Sequence, residues 1–167
     1  MTPVFMSLLG GVAMLGGLTP QSYYEVPPVE FSKTQICIGD LTEAYTVEVA
    51  ADNHQRARGL MERDSLPADQ GMWFQYPSER SGSTGFWMYN TTIPLDIAYL
   101  DDQGYIVKIM QMQPCKYQNP GLCRSYRPEV NYSGALEMNL NFFNDNAIEP
   151  GDRIRETTSG TCPHNKS

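Results

Sequence analysis

The chain has 167 residues, with 19 Asp and Glu against 12 Lys and Arg, for a formal charge of −7. That length supports one compact core and argues against a second domain. The acidic balance repels polyanions, so it excludes nucleic acid and anionic membrane surfaces as partners recruited by bulk charge.

From Phe5 to Leu18 the chain is apolar apart from Ser7. This run is shorter than the roughly 20 residues a bilayer-crossing helix needs, and it suits the core of a signal peptide. The first basic side chain is Lys33 and no Ala-x-Ala cleavage site follows, so an uncleaved anchor and a mis-assigned start stay open beside export. Residues 1–20 are therefore read as signal peptide or anchor, and 21–36, with Pro27-Pro28, as linker. The single domain is placed at 37–162 and a tail at 163–167. The expected location is periplasmic or extracellular, the expected state is monomeric, and membrane contact is expected only through an uncleaved N-terminal segment.

Tyr45, Val47 and Val49 alternate with polar residues, the period of a strand with one wet face. Asp52 supplies a carboxylate N-cap for a helix expected to run to about Arg63 and to end at Ser65-Leu66-Pro67. Gly71 to Tyr76 is a short strand closed by Pro77, and Ser81 to Gly85 is a loop. Beyond the Asn90-Thr91-Thr92 turn, Leu95, Ile97 and Tyr99 share one side of a strand while Asp96, Ala98 and Leu100 share the other. Both sides are largely apolar, which predicts a central strand buried on both faces. Asp101 to Gly104 closes a hairpin with Tyr105 to Met112.

Gly134 to Leu140 is a further strand, Phe142 to Asn146 one helical turn, and Pro150-Gly151-Asp152 a turn before a last strand near Arg153 to Glu156. Many short strands with one real helix predict an α+β, mainly β fold: a small antiparallel barrel-like or rolled sheet. Four cysteines allow three pairings. Asn119-Pro120-Gly121 is a turn able to bring Cys115 and Cys123 together, which leaves Cys37 and Cys162 to tie the start of the domain to its end.

Arg58-Gly59-Leu60-Met61, then Gly71-Met72 with Phe74, then the block from Phe86 to Asp96, and finally Pro150-Gly151-Asp152 follow one another in an order that resembles domain of unknown function 192. This is a bacterial and archaeal family of uncharacterised proteins, and the resemblance spans Tyr45 to Arg155. Asp101, Gly104 and Glu137 also fit its pattern. The chain departs from it at Tyr89, where the family often carries a basic residue, and at Asn141 and Ala147, where Gly is usual. Asn141 tolerates a left-handed backbone better than most non-glycine residues and can preserve the conformation of that glycine.

The candidate ligand-binding residues are Arg58, Trp87, Asn90, Asp96 and Glu137. Asp96 is expected to be buried and so to need a partner, either the Arg58 guanidinium or backbone amides of the Asn90 turn. Two histidines, His54 and His164, are too few and too peripheral for a His-dependent triad. The leading expectation is an exported, non-enzymatic domain binding a small ligand or a partner protein, with no cofactor. Two alternatives stand beside it. One is acid and base chemistry by Asp96 with Glu137, which requires their carboxyls to converge. The other is cuprous-ion binding by Met110 and Met112, whose thioethers are soft ligands. Core packing beside aromatic rings is the competing role for these methionines.

Overall fold

A computed structural model describes residues 29–163. The apolar run, residues 21–28 of the Pro-containing linker and His164 lie outside the described residues. Nine strands and two short helices follow in chain order: β1 (Ser32–Ile38), β2 (Tyr45–Ala50), α1 (Asn53–Arg58), β3 (Gln70–Arg80), β4 (Phe86–Trp87), β5 (Leu95–Leu100), β6 (Ile106–Met112), β7 (Ser125–Tyr126), β8 (Tyr132–Asn139), α2 (Phe142–Asp145) and β9 (Ile154–Thr157). Seven of the strands form one sheet in the order β6-β5-β8-β3-β2-β1-β9, and β4 pairs with β7. The fold is mainly β, a half-barrel with short helices, as the pattern of the sequence predicts.

Several boundaries move. The linker is shorter than its expected end at residue 36, because Ser32 to Ile36 pair with Val49 to Tyr45 and belong to the sheet. The helix stops at Arg58 instead of Arg63, since Gly59 takes φ +49° and its amide returns to the Gln55 carbonyl. Its start is as expected, with Asp52 and Gln55 forming a reciprocal capping box. β3 runs through Pro77 to Arg80, at the cost of a register shift between Gln75 and Arg80. β2 and β3 are parallel, and the residues between them supply the long crossover that parallel strands require.

All six residues of β5 are buried, and the strand lies between β6 and β8. Its two faces belong to different clusters. Ala98 and Leu100 join Ile36, Val47, Leu136, Ile106 and Ile154, so residues from both ends of the strand order meet inside the curl. Leu95, Ile97 and Tyr99 join Met72, Phe74 and Met112 on the outer face, under Leu60, Leu66 and Met88 from the connecting segments.

The end strands meet at one corner. The Ile106 amide donates to the Asp152 carbonyl at 2.8 Å, and the Ile154 amide donates to the Gly104 carbonyl at 2.8 Å. A Cβ on Gly104, whose φ is +85°, would stand 2.4 Å from the Ile154 carbonyl oxygen. Only glycine lets the β5–β6 hairpin touch β9 there. Cys37, opposite Arg155 of β9, is bonded to Cys162, and Cys115 is bonded to Cys123, with Cα separations of 5.6 and 5.5 Å. This is the pairing expected from the turn between Cys115 and Cys123.

Asn141 has φ +71° and Ala147 φ +53°, so both residues that replace a family glycine hold a left-handed backbone. Asn tolerates this; Ala pays for it. The left-handed conformation costs a non-glycine residue roughly 1–2 kcal/mol, and glycine gives back roughly 0.4–1 through its freer unfolded chain. Ala147→Gly is therefore expected to stabilise the domain by up to about 1 kcal/mol in urea unfolding. A lower midpoint would show that the backbone at Ala147 is not strained.

Candidate binding face and two buried carboxyls

The exit of α1 and the Asn90 turn are clasped together. The Arg58 guanidinium pairs with Glu62 at 2.8 Å, and the Glu62 amide donates to the Asn90 carbonyl at 2.8 Å. The Thr92 hydroxyl donates to the Arg63 carbonyl at 2.7 Å. Asn90 itself sits at φ +53°, which reverses the chain between β4 and the buried β5.

The disulfide-closed segment docks on the same turn. The Met88 carbonyl accepts from the amides of Thr91 at 3.2 Å and Cys115 at 3.3 Å. The Tyr126 hydroxyl accepts from the Gln113 amide at 2.8 Å, the Tyr99 hydroxyl donates to the Tyr126 carbonyl at 2.5 Å, and Trp87 lies opposite Ser125 in the β4–β7 pair. Between the Asn90 turn and this segment is a cleft of about 380 Å³, bordered by Asn90, Thr92, Pro114, Lys116 and Tyr117.

The two segments that form it also carry three large apolar side chains exposed to solvent. Trp87 is 46% exposed, Tyr117 58% and Leu122 60%, and the Trp87 ring lies 5.4 Å from that of Tyr89. Residues 113–128 carry Lys116, Arg124 and Arg127 and no acid, in a chain whose net charge is −7. All three cations are exposed, and Arg124 stacks over the Tyr126 ring at 4.8 Å.

Arg58, Trp87 and Asn90 thus lie on connected segments, whereas Asp96 and Glu137 do not join them. Asp96 is 1% exposed on the inner face, and its Oδ2 accepts from the Phe143 amide at 3.3 Å while Oδ1 has no partner. Its partner is an amide at the start of α2, neither Arg58 nor the Asn90 turn. Burial raises its pKa, and the amides of Asn141 and Phe143 and the side chain of Gln111 partly offset that rise.

Glu137 faces the opposite way. In the register of β5 and β8 it stands beside Ile97, while Asp96 stands beside Met138, so alternation sends the two carboxyls to opposite sides of the sheet. They do not converge, and the acid-and-base pair considered from the sequence has no geometry to support it. Glu137 lies between Met72 and Ile97, is 4% exposed, and is pushed up to about 8 by burial, with no opposite charge among the described residues to hold it down.

Met110 and Met112 share the outer face. Met112 is fully buried in the cluster of Leu95, Ile97 and Tyr99, and Met110 packs against it. Among the described residues no group of three or more His, Cys, Asp or Glu is placed to hold a metal ion. His54 is exposed on α1.

Residues 34–156 match the model of DUF192, described as an uncharacterised ACR family. The chain belongs to this family. Its fold recurs in a protein from Sinorhizobium meliloti 1021, provisionally described as a transcription regulator, with 27% identity and a TM-score of 0.67 over 77% of this chain and 97% of that one. It also recurs in a protein of unknown function from Novosphingobium aromaticivorans DSM 12444, with 24% identity and a TM-score of 0.58 over 87% of this chain and 99% of that one. No curated protein matches.

The family's motif residues Leu60, Met72, Phe74 and Met88 gather in the same layer as Glu137. Sequence reasoning missed Tyr117, Leu122 and the three cations. The signal was available: no acid falls between Asp102 and Glu129 in a chain with 19 of them.

The position of Glu137 sets a pH dependence. The unfolded carboxyl ionises near 4.5, while the folded one keeps its proton up to about 8. Between those values the folded state binds more protons, so its stability falls as pH rises, by on the order of 1 kcal/mol per unit. Glu137→Gln keeps the shape and removes the ionisation. Its melting temperature is expected to exceed that of the parent by a margin that widens from pH 5 to pH 8. A margin independent of pH would mean that Glu137 is not held neutral by burial.

Proposed function

We propose that the protein is an exported, non-enzymatic domain that binds a partner protein through the disulfide-braced face carrying Trp87, Asn90, Tyr117 and Leu122. The observation that carries this reading is the concentration of exposed apolar side chains there. Single exposed apolar residues need no explanation, but a cluster rimmed by polar groups marks an interaction surface. Trp and Tyr supply rigid contact area at low entropic cost, and Arg is the cation most enriched at interfaces.

Export is supported by two disulfides, which persist in oxidising compartments, together with the apolar N-terminal run. The brace serves the proposed role directly, because a loop fixed before binding loses less entropy on contact. A regulator that grips DNA by charge is not favoured, since the net charge of −7 opposes polyanion binding.

Trp87→Ala combined with Tyr117→Ala removes exposed side chains and is expected to change stability by less than about 1 kcal/mol. A central Trp or Tyr of an interface is worth roughly 2 kcal/mol or more, so the double variant should lose more than about tenfold in affinity for the protein that co-purifies with the tagged parent from the exported fraction. Undiminished affinity in a folded variant would remove this face as the binding surface.

A further inference from the structure

At the end of the sheet opposite α2 is a second cleft, of about 580 Å³, within the roughly 300–1,000 Å³ of small-ligand pockets. Both irregularities of the central strands fall beside it. The β3–β8 register shifts between Gln75 and Arg80, and the β5–β6 register shifts between Tyr99 and Leu100. Bulges of this kind re-aim side chains next to sites.

The floor is built around a missing side chain. Gly134 lies beside Gln75 on one strand and Leu100 on the other. A Cβ there would stand 3.3 Å from Trp73 Nε1 and 3.2 Å from the Phe74 carbonyl oxygen, so glycine makes room for the half-buried indole to line the cleft. The bulged segment contributes Ser78 and Glu79, and the β5–β6 turn contributes Asp101 and Asp102.

Charge narrows the class of ligand. Three carboxylates and no Lys or Arg border the cleft, which disfavours an anion. The ring of Tyr76 on the rim already carries the Arg56 and Arg80 guanidiniums at 5.0 and 5.2 Å, which leaves the Trp73 indole as the aromatic surface open to a ligand. An indole beside a carboxamide, hydroxyls and carboxylates is the group set that suits a neutral molecule rich in hydroxyls. The axial C–H edges of a sugar ring suit the electron-rich face of an indole, and carboxylates, amides and hydroxyls pair with its alcohol groups. One oxygen of Asp101 is committed to the Gln103 and Tyr105 amides and one of Glu79 to Asn131, while the exposed Asp102 and the Gln75 amide make no side-chain hydrogen bond among the described residues.

The geometry points to a binding site for a neutral oligosaccharide, with Trp73 as the stacking platform and Gln75 and Asp102 as hydrogen-bonding groups. This site is separate from the partner face and does not depend on it.

The chain has two tryptophans, so Trp87→Phe leaves Trp73 as the sole indole reporter. The full-length variant would be titrated with maltotriose, cellotriose and tri-N-acetylchitotriose, and with spermidine and inorganic phosphate, by tryptophan fluorescence and by calorimetry. Saturable binding of at least one trisaccharide is expected, weakened tenfold or more by Asp102→Ala or Gln75→Ala in folded protein. No saturable heat or fluorescence change with any trisaccharide would overturn the assignment. So would binding confined to spermidine or phosphate, or trisaccharide binding indifferent to both substitutions.

Discussion

The structure turns on the backbone around Met88 and Asn90, where the chain passes from the exposed Trp87 of β4 into the fully buried β5 within a few residues. A carbonyl that accepts two amides, a left-handed Asn90 and an amide supplied by Glu62 fix that passage. Unsatisfied buried amides and carbonyls are costly, so these pairings hold three segments in one arrangement. The exit of α1, the disulfide-closed loop and the central strand all take their positions from it. On the solvent side the same turn displays Trp87, and on the core side it delivers Leu95, Ile97 and Tyr99 to the outer cluster.

The same passage is written into the segment from Phe86 to Asp101. Its alternation specified a strand buried on both faces, and burial on both faces requires neighbours on both edges, which β6 and β8 provide. The hairpin at Asp101 to Gly104, the left-handed Asn141 and the cap at Asp52 were legible because each is a local rule of backbone or side-chain chemistry. β1 was not legible. Its polar first half has no clean alternation, and its place depends on pairing with β2 and β9, contacts distant in sequence. The early end of α1 at Gly59 was missed because Leu60-Met61-Glu62-Arg63 beyond it are good helix formers by composition, while the left-handed glycine terminates the helix.

The candidate site was legible in its parts and not in its assembly. Arg58, Trp87 and Asn90 lie on segments that touch, but Asp96 and Glu137 are separated by the simplest feature of a sheet, the alternation of side chains. A shift of one residue in the β5–β8 register would have placed both carboxyls on one face. Each is instead buried alone. Asp96 holds the start of α2 through the Phe143 amide, and Glu137 remains neutral between Met72 and Ile97. A carboxyl buried in such a layer lowers stability at neutral pH, because ionising it there is opposed by burial.

The most direct test of the binding face is amide hydrogen exchange on the protein isolated with its partner from the exported fraction, compared with the same protein stripped of that partner. Added protection concentrated in residues 86–92 and 113–126 is the expected result. Protection confined to the Trp73 cleft, or no difference in either segment, would contradict the account.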